Sequence, residues 1–490
     1  MTLTQRKSLE PWLFDTVEYY NHQLTGVREM ARMRNFLLAD DMGLGKSLQA
    51  LTVACVDIAR EWASRIIVVA PATLKGNWAD EIEKFTTLPY LILGQEEDKK
   101  KPGHYKKLGP KDRDKQLLEF QIMEGPKVLI CNYEQLIPHL KQLNALRFDI
   151  CIYDEAHYMK NYKAKRTIAA LALEGNRHML LTGTPMLNHI DELWPLLNKI
   201  DPERYRKRWS FVQRYAVWGG YENRQIIGVK NEKELTERLK SVMIRRLKKD
   251  VLDLPEVQYI QRRVDLHPEQ QRLYDDAIEK MEIEMMDLDD PSEIQNALTK
   301  FLRLKQICGT TYPFTGKDVS SKLDLAIEDA IELLENDNKL VVFTQFRDVL
   351  EAFCNRLDSA RPDFDVWELH GDIPNENRQP IVREWSNHPK PAVLSGMLQI
   401  SGLGLNMTAA NKVFFLDKLF VPGLNQQAID RLHRIGANVS QPVQVYEYIC
   451  RNTIENRVEA ILRTKKKLFT NIVEDSDFKR KLIRALMEDE

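Results

Sequence analysis

Short apolar runs, too brief to be helices, recur along this chain in two groups, and no other feature constrains its fold as much. The first group falls at 36–39, 66–70, 128–131, 150–153 and 179–181, and the second at 340–343, 392–394, 413–416 and 443–446. Longer stretches with apolar residues at helical spacing separate them. Strands that are apolar throughout must be covered on both faces, and intervening helices supply that cover in a parallel sheet. The pattern predicts an α/β fold with two parallel-sheet lobes. Between the groups, residues from about 190 to 330 are charge-rich and mostly helical in pattern, which predicts helical protrusions and a linker inserted between the lobes.

Composition excludes more than it assigns. The chain has 490 residues, enough for two to four domains. Lys plus Arg (71) balance Asp plus Glu (72), so a surface for nucleic acid would have to be local. Cys55, Cys131, Cys151, Cys308, Cys354 and Cys450 include no Cys-x-x-Cys pair and read as reduced core residues, against a zinc site or a disulfide framework. Neither an apolar leader nor a run approaching ~18 apolar residues is present, so no membrane partner and an intracellular location are expected.

The run at 36–39 leads directly into Asp-Asp-Met-Gly-Leu-Gly-Lys-Ser at 40–47, and Leu48, Leu51, Cys55, Ile58 and Ala59 then follow at helical spacing. A strand, a glycine turn and a helix in that order aim consecutive backbone N–H groups and a helix N-terminus at a phosphate chain. Gly43 and Gly45 allow close approach, Lys46 reaches the β and γ phosphates, and the Ser47 hydroxyl suits Mg²⁺. The full phosphate-loop pattern has a glycine where Asp40 stands, and a plain turn into a core helix would show the same bare Gly-x-Gly-Lys-Ser.

The run at 150–153 ends in Asp154-Glu-Ala-His157. Strand C-termini face the ligand crevice of a parallel sheet. There Asp154 would hold Mg²⁺ and Glu155 would orient and deprotonate a water attacking the γ phosphate. Capping of the next helix is the other use of such a pair. Thr182 and Thr184 close the next run. Far downstream, Arg431 and Arg434 are spaced to share one helix face, able to stabilise transition-state charge or simply to lie exposed.

Three charged segments stand out. Residues 99–115 hold eight basic and two acidic residues, and Pro102, Gly103 and Pro110 predict a solvated loop. Residues 204–209 interleave Arg204, Arg206, Lys207 and Arg208 with Tyr205 and Trp209, suited to nucleic acid or to stacking on a helix surface. Residues 282–290 read as an acidic solvated helix with one core face.

Taken together, these strings resemble the Swi/Snf-type branch of superfamily-two helicases, ATP-dependent translocases on double-stranded DNA. The resemblance runs from about residue 19 to 460. It includes Tyr20-Asn-His-Gln23, Ile67-Val-Val-Ala-Pro71 with Asn77-Trp78, Val128-Leu-Ile-Cys-Asn-Tyr-Glu134, Lys339-Leu-Val-Val-Phe-Thr-Gln-Phe346, His370-Gly371, Gly402-Leu-Gly-Leu-Asn-Met-Thr408 and Gln427-Ala-Ile-Asp-Arg-Leu-His-Arg-Ile-Gly436. The most family-specific string is Met243-Ile-Arg-Arg-Leu-Lys-Lys-Asp-Val251. Met397 to Ile400 and Ala437 depart from the pattern. Asp40-Asp41 and residues 415–422 are closer to the compact annealing or fork-remodelling branch.

The resemblance implies two RecA-like lobes of a P-loop NTPase, with ATP and Mg²⁺ as cofactors. It implies nucleotide contacts from Gln23, which would read the base, and from Asp41, Met42, Gly43, Leu44, Gly45, Lys46, Ser47 and Gly404. Catalysis falls to Lys46, Asp154, Glu155, Gln427, Arg431 and Arg434, and metal binding to Ser47 and Asp154. Thr73, Lys75, Asn132, Tyr133, Arg245, Arg246, Thr344 and Gln345 would face nucleic acid. The expected layout is a first lobe at 1–255 with a protrusion at about 190–250, a linker and second protrusion at 256–330, a second lobe at 331–455 and bracing helices at 456–490. The expected activity is ATP hydrolysis by a monomer moving along double-stranded or branched DNA. A strand-separating helicase and a non-hydrolysing, ATP-gated scaffold are the rival readings.

Overall fold

The structure is a computed structural model that describes residues 12–97, 105–183, 185, 190–219, 225–252, 255–284, 291–401, 405–420, 422–434 and 441–464. The chain divides into two compact units, one formed mainly by residues 1–253 and the other mainly by 254–490.

The strands of the first unit are β1 (Phe36–Leu38), β2 (Arg65–Ala70), β3 (Tyr90–Ile92), β4 (Gln95–Glu97), β5 (Tyr105–Lys107), β6 (Lys127–Asn132), β7 (Ile150–Tyr153), β8 (Arg177–Leu181), β9 (Ala216–Gly219), β10 (Gln225–Val229) and β11 (Met243–Ile244). Seven of them make one parallel sheet in the order β11-β1-β8-β7-β2-β6-β3. Side chains alternate across it. Leu37, Ile67, Val69, Leu129, Cys151, Tyr153 and Leu180 enter one core, while Phe36, Leu38, Ile66, Val68, Val128, Ile152 and Leu181 enter the other. This two-sided burial is why the runs are apolar without alternation. β4–β5 and β9–β10 are antiparallel ribbons.

The second unit repeats the plan with β12 (Gln258–Val264), β13 (Leu340–Thr344), β14 (Asp365–Leu369), β15 (Ala392–Met397), β16 (Lys412–Phe415) and β17 (Gln444–Cys450). They form a parallel sheet in the order β12-β17-β16-β13-β15-β14. Val341, Phe343, Leu394, Val413 and Val445 point to one core, and Leu340, Val342, Val393 and Phe414 to the opposite one.

Both sheets and all nine strands read from the apolar runs are present. Two local readings need correction. Residues 190–330 are not simply helical, since they also supply β9 to β12, and β11 and β12 are edge strands of the two sheets. The basic segment is not one loop. Residues 105–107 form β5, and Pro110 opens the helix Pro110–Ile122 at the first-turn position where its missing N–H costs nothing. Residues 98–104 lie outside the described residues, as do 285–290 of the acidic segment and 465–490 beyond the helix Ile454–Thr464. All six cysteines are buried. Among the described residues, no helix is long and apolar enough to cross a membrane.

β8 carries a titratable liability. Burial first, then the charges of Lys199 and Arg34, hold the imidazole of His178 down at about 3. The unfolded chain binds a proton below its ordinary value near 6.5, while the native state refuses one down to about 3. Stability from this group is therefore complete above 6.5 and falls as pH is lowered, by about 2 kcal/mol at pH ~5. Nδ1 of His178 makes no hydrogen bond, so an apolar ring can replace it without orphaning a donor. The drop in melting temperature between pH ~7.5 and ~5 is expected to be smaller in His178→Phe than in the native chain. Equal drops in the two proteins would remove His178 as the cause.

Candidate active site

Phe36, Leu37, Leu38 and Ala39 are fully buried, which fixes the exit of β1, and the chain then turns through Gly43 and Gly45 at φ of 85° and 75°. Gly45 is the left-handed residue that opens the helix Lys46–Ala59. A Cβ there would also stand 2.3 Å from Nε2 of Gln23. Glycine is thus required twice over at this position. The helix has no side-chain cap and no acidic residue in its first turn. Its leading N–H groups and dipole favour an anion. Leu44 is buried, whereas Met42, Lys46 and Ser47 are half-exposed along the turn.

Lys46 Nζ donates to the backbone carbonyls of Asp40 at 2.8 Å and Asp41 at 3.2 Å. Asp40, the departure from the phosphate-loop pattern, is fully buried beneath the turn and ion-paired with Arg246 at 2.5 Å. Gln23 is buried as well. Its amide donates to the Leu44 carbonyl at 3.2 Å and its oxygen accepts from the Tyr20 N–H at 3.0 Å, so it grips the turn from behind.

The carboxylates follow β7, which is separated from β1 by β8 alone. At ~4.8 Å per strand, Asp154 emerges about 10 Å from the turn, with Thr182 and Gly183 between them. Asp154 is locked in place: Trp78 Nε1 donates to Oδ2 at 2.8 Å, the Glu155 N–H to Oδ1 at 2.9 Å, and Tyr133 OH to its carbonyl at 2.8 Å. Burial first, then the neighbouring Glu155, lifts its carboxyl to about 6, against the lowering pull of Trp78 and Lys46. Glu155 sits at φ 47°, ψ 51°, a left-handed conformation costing a non-glycine residue ~1–2 kcal/mol. Strained backbone of this kind persists where a side chain must be aimed. The Glu155 carboxylate is 3.2 Å from His157 Nδ1, which also lies 3.2 Å from Thr182 Oγ1.

The residues present fit a divalent cation. The Ser47 hydroxyl and the Asp154 carboxyl are hard oxygen donors of the kind Mg²⁺ takes. Gly183 leaves the cradle open, because a Cβ there would come to 2.9 Å from Met42 Cγ and 3.7 Å from Lys46 Nζ.

Most of the residues expected to face nucleic acid instead have their side chains engaged within their own unit. Thr73 and Tyr133 are buried, and Asn132 caps the helix Tyr133–Ala145. Lys75 donates to the Leu93 carbonyl at 2.9 Å, and burial pushes its ammonium down to about 8. In the second unit, Thr344 and Gln345 are buried against Asp417; the Thr344 hydroxyl donates to its carboxylate and the Gln345 N–H does so at 3.2 Å. Arg246 is turned inward. Of the set, Arg245 alone is exposed.

Arg431 and Arg434 do not share a helix face. The helix Pro422–Ile429 carries Gln427 and stops short of both arginines, and the Met407 N–H binds the Arg431 carbonyl at 3.1 Å. Gly404 lies outside the described residues. Sequence reasoning did not single out Trp78 as a site residue, although it lies in one of the quoted strings. Nor did it foresee that Cys308 and Cys450 meet beside Glu455. That carboxylate is already taken by Lys322 Nζ at 2.5 Å and the Cys450 N–H at 2.8 Å.

The family model for the SNF2-related domain matches residues 21–312, and that for the helicase conserved C-terminal domain matches 325–436. An uncharacterized ATP-dependent helicase of Mycoplasma pneumoniae is 28% identical over 466 residues, covering 94% of this chain and 42% of that protein. The human SWI/SNF-related matrix-associated actin-dependent regulator of chromatin subfamily A member 1 is 26% identical over 468 residues, covering 90% and 42%. The chain thus spans less than half the length of these curated relatives. The Sulfolobus solfataricus SWI2/SNF2 ATPase core in complex with dsDNA aligns over 96% of this chain and 97% of that one at 25% identity, with a TM-score of 0.43, too low to bear on function.

Proposed function

The chain belongs to the SNF2-related family, and we propose that it hydrolyses ATP to move along double-stranded or branched DNA. The observation that carries this reading is the convergence, at the C-terminal end of one parallel sheet, of the Lys46 turn with the fixed carboxyl of Asp154 and the strained Glu155. In it, Lys46 exchanges its two carbonyl partners for the β and γ phosphates, and the N–H groups of the uncapped helix receive the rest of the charge. Glu155 orients the attacking water and takes its proton, with His157 and Thr182 holding the carboxylate's surroundings. Mg²⁺, held by Ser47 and Asp154, would neutralise charge on the transferring group.

Two features favour translocation on duplex DNA over strand separation. One is the family-specific string at 243–251, and the other is its direct bonding to the phosphate turn, where the Asp41 N–H donates to the Arg246 carbonyl at 3.0 Å and the Lys248 N–H to Asp41 Oδ2 at 2.9 Å. Because net charge is close to zero, DNA binding is expected to rest on local cations and to weaken with salt. The test measures ATP hydrolysis with single-stranded, duplex, forked and four-way DNA, together with displacement of a third strand from a triplex. Duplex-stimulated hydrolysis with triplex displacement and little duplex unwinding is expected. Efficient unwinding would establish the strand-separating alternative, and binding without DNA-stimulated hydrolysis a scaffold.

A further inference from the structure

The Asp40 side chain has no part in the chemistry above, yet it is fully buried at the turn that bears Lys46. A buried carboxylate is costly unless its oxygens are satisfied. Here four donors do so. Oδ1 accepts from Arg246 Nε at 3.0 Å and the Arg246 backbone N–H at 3.1 Å, and Oδ2 from Arg246 Nη2 at 2.5 Å and Gln49 Nε2 at 3.2 Å. The guanidinium spends two further donors nearby. Nη2 also donates to Gln49 Oε1 at 2.7 Å, and Nη1 to the His22 carbonyl. Space is made for it by Gly26, where a Cβ would stand 2.5 Å from Nη2.

This network touches the phosphate turn from several sides. Asp40 supplies the carbonyl that holds Lys46 Nζ at 2.8 Å. His22 Nε2 and Gln23 Nε2 each lie 3.2 Å from the Leu44 carbonyl. Arg246 therefore joins three pieces of chain: the helix bearing Gln23, the turn bearing Lys46, and the 243–251 segment.

We propose that Arg246 is a positioning residue for the phosphate turn, gripping Asp40 with its planar fork so that the turn keeps its nucleotide-binding shape. A phosphate turn with glycine at this position has no side chain to grip; Asp40 converts that position into an anchor. A lysine could supply the charge, but not the parallel donors that saturate both carboxylate oxygens. A preorganised turn binds nucleotide without first being ordered, so loosening it lowers affinity before it alters chemistry.

The inference rests on residues 40–47 being the nucleotide site, and the test separates the two. Binding of a fluorescent ADP analogue is measured without DNA for the native chain, Arg246→Lys, Asp40→Asn, the double variant and Lys46→Ala, each with a thermal melt. Arg246→Lys and Asp40→Asn are expected to melt cooperatively and to bind at least about tenfold more weakly, with KM for ATP rising more than kcat falls. The double variant is expected to lose little more than either single one, because both remove one interaction. Native affinity in Arg246→Lys and Asp40→Asn overturns the proposal. So does a loss confined to variants that no longer melt cooperatively, since the pair would then serve stability alone. If Lys46→Ala also binds as the native chain does, the nucleotide site itself is misplaced; if only Lys46→Ala weakens binding, the site stands and the role of Arg246 falls.

Discussion

Replacing Lys46 by alanine is expected to abolish DNA-stimulated phosphate release, by a factor of about 10² to 10³. The side chain donates to the backbone carbonyls of Asp40 and Asp41 and exerts a lowering pull on the Asp154 carboxyl, so its loss removes positive charge from the turn. Its removal opens no core cavity, because Lys46 is half-exposed and the core of the helix behind it is made by Leu48, Leu51, Cys55 and Ile58. The melting temperature should therefore stay close to that of the native chain while hydrolysis and nucleotide affinity both fall. Phosphate release that persists in purified Lys46→Ala would show that another site hydrolyses the nucleotide.

Glu155→Gln should separate binding from chemistry. Glutamine has the same shape, tolerates the same left-handed backbone about as well and retains an oxygen facing His157, but it cannot accept the water's proton. Hydrolysis is expected to fall by about 10² to 10⁴. Nucleotide affinity should stay within about twofold, because the phosphate-binding donors belong to the turn. Single-turnover phosphate release with a parallel binding titration gives both numbers. Undiminished hydrolysis would move the base to another group, and lost affinity would place Glu155 among the residues that shape the turn.

The strands that could be read from sequence and those that could not differ in position. Every interior strand was an apolar run, because it is covered on both faces. The four sheet edges, β11 and β3 in the first unit and β12 and β14 in the second, were missed. β12 reads Gln-Tyr-Ile-Gln-Arg-Arg-Val and has no fully buried residue, and β14 begins on an exposed Asp365. Polar side chains mask the pairing of β12 and β14, β3 and β11 are only three and two residues long, and pairing is a long-range event. β11 is only two residues long, and it exists because the Leu37 N–H reaches the Val242 carbonyl at 2.8 Å and the Ala39 N–H that of Ile244 at 2.7 Å.

The same distinction runs through the site. The Lys46 turn and the Asp154-Glu155 pair were legible because a strand, a turn and a helix adjoin in sequence and their geometry is local. The spacing of Arg431 and Arg434 looked helical and is not. The Arg431 carbonyl is taken by Met407 N–H from another part of the chain, which a periodicity cannot register. Lys75, Thr344 and Gln345 look like surface residues in sequence, yet a nearby carbonyl or carboxylate claims each of them.

By itself, then, the sequence determined that this chain builds two parallel sheets and that one of them ends in a glycine turn bearing Lys46 and in the adjacent carboxylates of Asp154 and Glu155. Hydrophobic period and chain adjacency settle such features. Only the tertiary structure decided which polar residues turn inward, and Asp40 shows why. Its aspartate looked like a gap in a glycine pattern until Arg246, 206 residues away, was found saturating its carboxylate. A buried charge is tolerable only beside its partner, and no local pattern names a partner that distant.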